Sequence, residues 1–281
     1  MTCVSLSGAI DGLPDVMSTS SDFLFLKLFT TGGSSSYSFA VFIAFLGPLV
    51  GIVMGFDAVS NEKSQGTLNR LASQPIYRDS IINAKFLAGA TIICLIVFFL
   101  GGLMSGVGIV KAGVYPTTEQ AMRVVMFLVY TAVYMCLWLA FSIFLSTVCR
   151  HTATAAIIAL AIWLFLTLFM SLTATWIANA VYPTEGIQGY YNTYNNYSLN
   201  LTLNRISPYY LFSEVTSTIL NPNVRSVGIT TMAQYDGAVA GYLSFGQSML
   251  LVWPHLVAMF ALAAIAFAAA YISFMRREIR A

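Results

Sequence analysis

The 281-residue chain is 58% hydrophobic and only 9% charged, with a mean hydropathy of +0.78, whereas soluble domains carry about 25% charged residues. A water-soluble globular domain is excluded. The formal charge of +2 is small and scattered, so no nucleic-acid-binding surface is expected either.

Residues 1–20 carry Asp11 and Asp15, have no basic start and lack the apolar core of a signal peptide. Residues 22–29, DFLFLKLF, are apolar but too short to span a bilayer; they fit an interfacial helix, followed by a Gly/Ser-rich connector over 30–38. Five runs then reach the roughly 17–25 apolar residues that a span needs, at about 39–56, 86–110, 124–148, 154–176 and 249–275. Unsatisfied backbone groups are costly in lipid and the runs do not alternate, so the predicted fold class is all-α, a polytopic helical membrane protein. Pro48, between Gly47 and Gly51, predicts a kink and close helix contact in the first run. Gly101, Gly102, Gly106 and Gly108 predict packing or a bend near one end of the second.

The polar stretches set the orientation. Residues 57–85, with Lys63, Arg70, Arg78 and Lys85, lie on the same side as Arg150 and a tail carrying Arg276, Arg277 and Arg280. These short segments hold eight of the thirteen Lys and Arg, which by the positive-inside rule makes them cytoplasmic. Seven of the eleven acidic residues fall on the other side. There, residues 182–247 contain nine of the fifteen tyrosines. Ser207 and Pro208 open a predicted helix whose Leu211, Phe212, Val215 and Ile219 share a face and which Asn221-Pro222 ends; it is expected along the outer surface. Asn196-Tyr197-Ser198 and Asn200-Leu201-Thr202 are sequons on the side where glycosylation occurs. Of the cysteines, Cys94 and Cys136 fall in spans, Cys149 at the inner face and Cys3 alone outside, so no outer disulfide is expected.

Within 57–85, Glu62-Lys63-Ser64-Gln65-Gly66-Thr67-Leu68, followed by Leu71, Ser73, Pro75, Arg78 and Lys85, resembles the first cytoplasmic loop of ABC-2 type transporter permeases. Physically, Gly66 frees a turn and Thr67 caps a short helix whose Leu68, Leu71 and Ala72 share a face before Pro75 ends it. The sequence around Arg150, LSTVCRHTATA, resembles the second cytoplasmic turn of the same family, and the basic tail its C-terminal end. The resemblance covers residues 39–281 and implies a six-helix fold of which five spans are visible, Met1 then lying after an absent first span. It implies the following organisation: 1–38 an extracytoplasmic or interfacial segment, 39–176 four spans with coupling loop 57–85, 177–248 an extracytoplasmic loop with an interfacial helix, and 249–281 the last span and basic tail. It also implies that Glu62, Gly66, Thr67, Leu68, Leu71, Pro75, Arg78 and Arg150 couple the chain to a separate ATPase subunit. That partner would bind ATP and magnesium, beside a second permease subunit and the lipid membrane, in the plasma membrane. The function implied is that of a transporter's membrane-spanning subunit, most simply an exporter working by alternating access.

Other chemistries are weaker. With no Gly-Lys pair anywhere, no phosphate loop of the G-x-x-x-x-G-K-[ST] type exists, so ATP hydrolysis is expected in the partner. Gly102-Leu103-Met104-Ser105-Gly106 resembles the serine motif of rhomboid intramembrane proteases, with His255 in another span, but the serine stands one residue too far from the first glycine and the pattern fails as written. His255 and Met259, four apart on one helix face, would suit copper, and some members of the family it resembles serve copper-site maturation; with twelve Met in mostly apolar surroundings, core packing is the favoured reading of both. A membrane scaffold or sensor is the remaining alternative. No Asp, Glu, Lys or Arg falls inside the five runs, which points to an apolar or amphipathic cargo.

Overall fold

The computed structural model describes residues 23–30, 38–65, 77–113, 115–224 and 242–276. Its helices are α1 (Leu24–Thr30), α2 (Phe39–Gly55), α3 (Ser60–Ser64), α4 (Arg78–Ala112), α5 (Thr118–Val148), α6 (Thr152–Leu164), α7 (Met170–Val181), α8 (Gly186–Asn204), α9 (Pro208–Leu220) and α10 (Phe245–Arg276). A π-helical turn over Phe165–Phe169 joins α6 to α7, and the described residues contain no strand. Five helical stretches are long and apolar enough to cross a membrane: Phe39–Glu62, Asp79–Val110, Thr118–Val148, Thr152–Val181 and Phe245–Arg276. All five coincide with the predicted runs, each longer than the run alone.

α5 is the axis of the bundle, and most of its apolar stretch is buried by α2, α4, α6, α9 and α10. Its start is sharply encoded: Thr117 and Gln120 form a reciprocal capping box, each side chain bonding the other's backbone N–H. α2 runs parallel to α5 at backbone contact. An added Cβ at Gly51 would lie 2.5 Å from the Met135 carbonyl oxygen, and one at Gly55 2.9 Å from that of Leu139. Gly47, Gly51 and Gly55, each four residues from the next, thus form the small-residue stripe that lets helices approach closely in lipid. Tyr134 Oη and Ser142 Oγ donate to the Ala44 and Ile52 carbonyls across the same seam, at 3.1 and 3.0 Å. By contrast, α4, α6–α7 and α10 keep large apolar faces exposed, including Leu95, Phe99, Ile157 and Ile265, as helices solvated by hydrocarbon do.

Residues 182–224 depart from a simple surface loop. α8 folds back antiparallel along α7: Asn192 donates to the Pro183 carbonyl, Asn196 to Asn179 Oδ1 and the Tyr182 carbonyl, and Asn200 to Thr175 Oγ1. Ser207 then donates to the Leu166 carbonyl at 2.7 Å, inside the widened π turn. α9 returns along α5, with Phe212 stacked on Tyr134 at 4.5 Å and the Ile219 carbonyl accepting from Arg123. Leu166 is fourteen residues beyond Thr152, a rise of about 21 Å, so the turn between α8 and α9 sits well inside the length of the spans. The predicted helix is present with its predicted face buried, Leu211, Phe212, Val215 and Ile219, but it runs along the central span and does not lie across the end of the bundle. The reason is that its apolar face finds α5 and α10 at depth, while α8 supplies the polar ladder that carries the chain there. α1 likewise is more deeply held than an interfacial helix, with Phe25, Leu26, Leu28 and Phe29 all buried and Phe29 against Phe39 and Phe127.

Both sequon asparagines use their side-chain amides in the α7–α8 ladder, within a continuous helix. In a glycosylating expression system the chain is therefore expected to carry no glycan at Asn196 or Asn200. Electrophoretic mobility should not change upon glycosidase treatment or in Asn196→Gln and Asn200→Gln variants; a shift lost in those variants would show that the hairpin opens before it packs.

Candidate functional site

Three polar clusters pin the bundle, one at the Arg150 end and two toward the Arg123 side. At the Arg150 end, the backbone passes from α2 through Asp57–Val59 into α3, and Ser146 of α5 reaches across to it. Ser146 Oγ accepts from the Val59 and Ser60 amides, both at 3.0 Å, and Ser60 Oγ lies 3.2 Å from Thr152 Oγ1 at the start of α6. Ser60 and Ser146 are buried. One serine side chain thereby ties the segment leaving α2 to the α5–α6 turn, and sequence reasoning passed over both hydroxyls because Ser is ordinary in turns. Glu62 forms an ion pair with Lys85 of α4 at 2.5 Å, both partly buried. The carboxylate expected to face a partner is thus engaged within the chain, binding α3 to α4. Arg150 is exposed in the turn between α5 and α6. Gly66, Thr67, Leu68, Leu71 and Pro75 lie outside the described residues, and Arg78 begins α4.

Toward the Arg123 end, a buried arginine stands one residue ahead of the charge-free run 124–148, inside the helix that carries it. Arg123 thus belongs to the central helix and is 0% exposed. It donates to Glu119 Oε1 from Nε and Nη2 at 3.2 and 2.9 Å, to the Ile219 carbonyl and Ser248 Oγ from Nη1 at 3.0 and 3.1 Å, and to the Leu243 carbonyl from Nη2 at 2.7 Å. Those five contacts match the five N–H donors of a guanidinium. Ile219 is at the C-terminal end of α9, where helix carbonyls lack intrahelical partners, so Arg123 caps α9 while fixing the entry into α10. The signal available in the sequence was the Glu119/Arg123 pair at i,i+4.

The second cluster joins α8, α9 and α10. Arg205, at the end of α8, pairs with Glu214 through Nε at 3.0 Å and Nη2 at 3.2 Å, and His255 Nε2 lies 2.7 Å from Glu214 Oε2. His255 is neither simple core filler nor partnered with a nucleophile: Ser105 Oγ donates to the Gly101 carbonyl of its own helix. Met259 is buried, and the described residues contain no group of three or more His, Cys, Asp or Glu placed to hold a metal. A polar residue in an apolar span and an acid in an apolar helix were each legible in the sequence; that they answer one another was not.

The chain is thus a five-span helical bundle with an α8–α9 hairpin packed along it and a serine tie at its Arg150 end. The family model of ABC-2 family transporter proteins matches residues 8–279. The chain belongs to that family. The match also takes in most of the segment ahead of α2. No curated protein matches the sequence significantly. An ABC-2 chain is the membrane-embedded part of an ABC transporter, which places this one as a multi-pass permease subunit associated with an ABC ATPase.

Proposed function

We propose that this permease is an exporter subunit that cycles by alternating access in the plasma membrane, driven by a partner that binds ATP and magnesium, with a second permease subunit beside it. The Arg150 end is then cytoplasmic, as its excess of Lys and Arg indicates. The observation that carries the reading is the junction at Ser146. A push on residues 57–85 is transmitted through Val59 and Ser60 to α5 and α6, so the loop and the central helix move as one body. Gly66, Thr67, Leu68, Leu71 and Pro75 supply the helix that docks on the ATPase, Arg78 and Arg150 the flanking cations, and Glu62 the brace to α4. Closure of the ATPase on ATP biases the bundle between inward- and outward-facing states to the extent that docking differs in energy between them.

The test is Leu71→Asp, which puts an uncompensated charge into an apolar contact, at a cost of about 3–5 kcal/mol if that contact is buried. The tagged chain purified from its native membrane is expected to bring magnesium-dependent ATP hydrolysis with it. In Leu71→Asp that activity should fall at least tenfold while the amount of chain in the membrane is unchanged. A wild-type preparation without ATP hydrolysis, or a variant that retains it, would remove the coupling assignment.

A further inference from the structure

In the π-helical turn Phe165–Phe169, which divides the fourth span, the Met170 amide bonds the Phe165 carbonyl, five residues back. Its ordinary α-helical acceptor, the Leu166 carbonyl four residues back, takes the Ser207 hydroxyl at 2.7 Å. Two hydroxyls are diverted from their usual roles by that arrangement. Thr91, Thr131, Thr175, Thr193 and Thr202 each donate to the carbonyl four residues before them. Thr167, within the turn and 9% exposed, has no partner for its hydroxyl among the described residues. Ser207 stands at the N-cap of α9, where a serine ordinarily accepts from an amide of the first turn, yet it makes no side-chain cap bond.

Each of these groups has a second partner one change of register away. Closing the turn from five-residue to four-residue spacing gives the Met170 amide the Leu166 carbonyl, gives the Thr167 hydroxyl the Trp163 carbonyl, and releases Ser207 to cap the amide of Tyr210. The Leu166 carbonyl is thus contested by an amide of its own helix and by a hydroxyl from the α8–α9 turn. The exchange trades hydrogen bonds for hydrogen bonds, so two packings of the same segment lie close in energy. What lies beyond the turn can follow it. α7 and α8 pack chiefly on each other, laced by the asparagine ladder, and α7 leaves Leu172, Trp176, Ile177 and Val181 exposed. α6, by contrast, is anchored through Thr152 to Ser60 and so to Ser146 of α5.

We propose that the fourth span is a bistable element: Phe165–Phe169 alternates between a π turn latched by Ser207 and a regular α-helical turn, and the change rotates α7 and α8 as one unit against the bundle. A helix that passes from five-residue to four-residue spacing re-aims every side chain beyond the change. Trp176 and Tyr194 then face new neighbours while Thr152 stays in place. One half of the span is held and the other turns, which is the independent motion of two ends that a transport cycle uses; that use rests on the alternating-access reading. The exchange of hydrogen bonds itself needs no ATPase.

The test uses the full-length chain in lipid nanodiscs, its own cysteines replaced by alanine, with nitroxide labels on cysteines at exposed positions. The pair Asn195 of α8 and Leu250 of α10 reads the motion, and the pair Leu172 of α7 and Tyr194 of α8 reads the hairpin itself. Electron–electron distance measurements are expected to show one dominant 195–250 distance in the otherwise unaltered chain. Ser207→Gly removes the latch donor and keeps a tolerated cap, and the loss of one hydrogen bond should raise a second distance about threefold or more in population. Adding Thr167→Val, which removes the hydroxyl that only the α-helical turn satisfies, should reverse most of that rise. Deletion of Leu168, which takes the extra residue out of the turn, should give the second distance alone. The 172–194 distance should be the same throughout. An unchanged 195–250 distribution in Ser207→Gly, or a rise that Thr167→Val leaves standing, would overturn the switch. So would a 172–194 distance that broadens in step, since the hairpin would then be melting and not turning. Variants are compared at matched gel-filtration profiles. If Ser207→Gly does not fold, the Leu168 deletion decides: persistence of the dominant distance there would equally overturn the proposal. Every reading is taken without nucleotide, so failure of the coupling assignment leaves the outcome intact.

Discussion

Arg123→Met is expected to destabilise the bundle by about 3–5 kcal/mol, the range for breaking a buried, fully bonded charge site. Methionine keeps much of the volume and removes all five donors, leaving the Ile219 and Leu243 carbonyls and the Ser248 hydroxyl without the partner they now share. Each polar group orphaned in this way costs about 1–3 kcal/mol. Arg123→Lys should recover only part of the loss, since an ammonium offers three donors and no planar fork. Glu119→Gln should matter little, because the carboxylate is 40% exposed and its pairing is largely screened. The measurement is the midpoint of heat-induced loss from the monodisperse gel-filtration peak of detergent-solubilised protein. At about 2–4 °C per kcal/mol for a chain of this size, Arg123→Met should melt some 6–20 °C below wild type. A midpoint within the scatter of Glu119→Gln would mean that α9 and α10 hold together without the arginine.

What the sequence made legible was whatever depends on composition and local period. The spans, the face of α9 and the glycine contact at Gly47–Gly51 follow from apolar length, helical spacing and side-chain size, and all three are present. Arg123 was misplaced because the apolar run starts at Val124, so a run-based boundary stops one residue short, whereas the helix continues outward to Thr118 on its Thr117 cap. The α8–α9 hairpin was read as a surface feature for a related reason: tyrosine and asparagine look like an aqueous segment, yet asparagines at 192, 196 and 200 recur every four residues and so fall on one face. Only the folded chain shows that this face bonds to α7. The Ser146 junction and the Glu214–His255 pair depend on contacts across 86 and 41 residues of sequence, and no local pattern encodes them.

The same geometry makes Gly51 the position where packing and coupling meet. Gly51→Leu is expected to cost about 2–4 kcal/mol, more than ordinary overpacking of about 1–3 kcal/mol, because the atoms it meets belong to a backbone and cannot rotate aside. They are the Met135 oxygen at 2.5 Å, the Leu139 nitrogen at 3.0 Å and the Trp138 Cβ at 3.2 Å. α2 must therefore move away from α5, which stretches the Tyr134–Ala44 and Ser142–Ile52 hydrogen bonds above and below it. Eight to nine residues further on, the amides of Val59 and Ser60 are pulled from Ser146. The variant should accordingly lose more than stability: at temperatures where it remains folded, ATP hydrolysis by the associated partner should no longer respond to the permease. Gly102→Leu is the matched control, since nothing lies within 4 Å of an added Cβ there. Expected are a lowered melting midpoint and uncoupled hydrolysis for Gly51→Leu, with neither for Gly102→Leu. Equal midpoints would show that the stripe is not a contact at all. A lowered midpoint with coupling intact would show that the signal bypasses the Ser146 junction and reaches the spans through α4, where Lys85 meets Glu62.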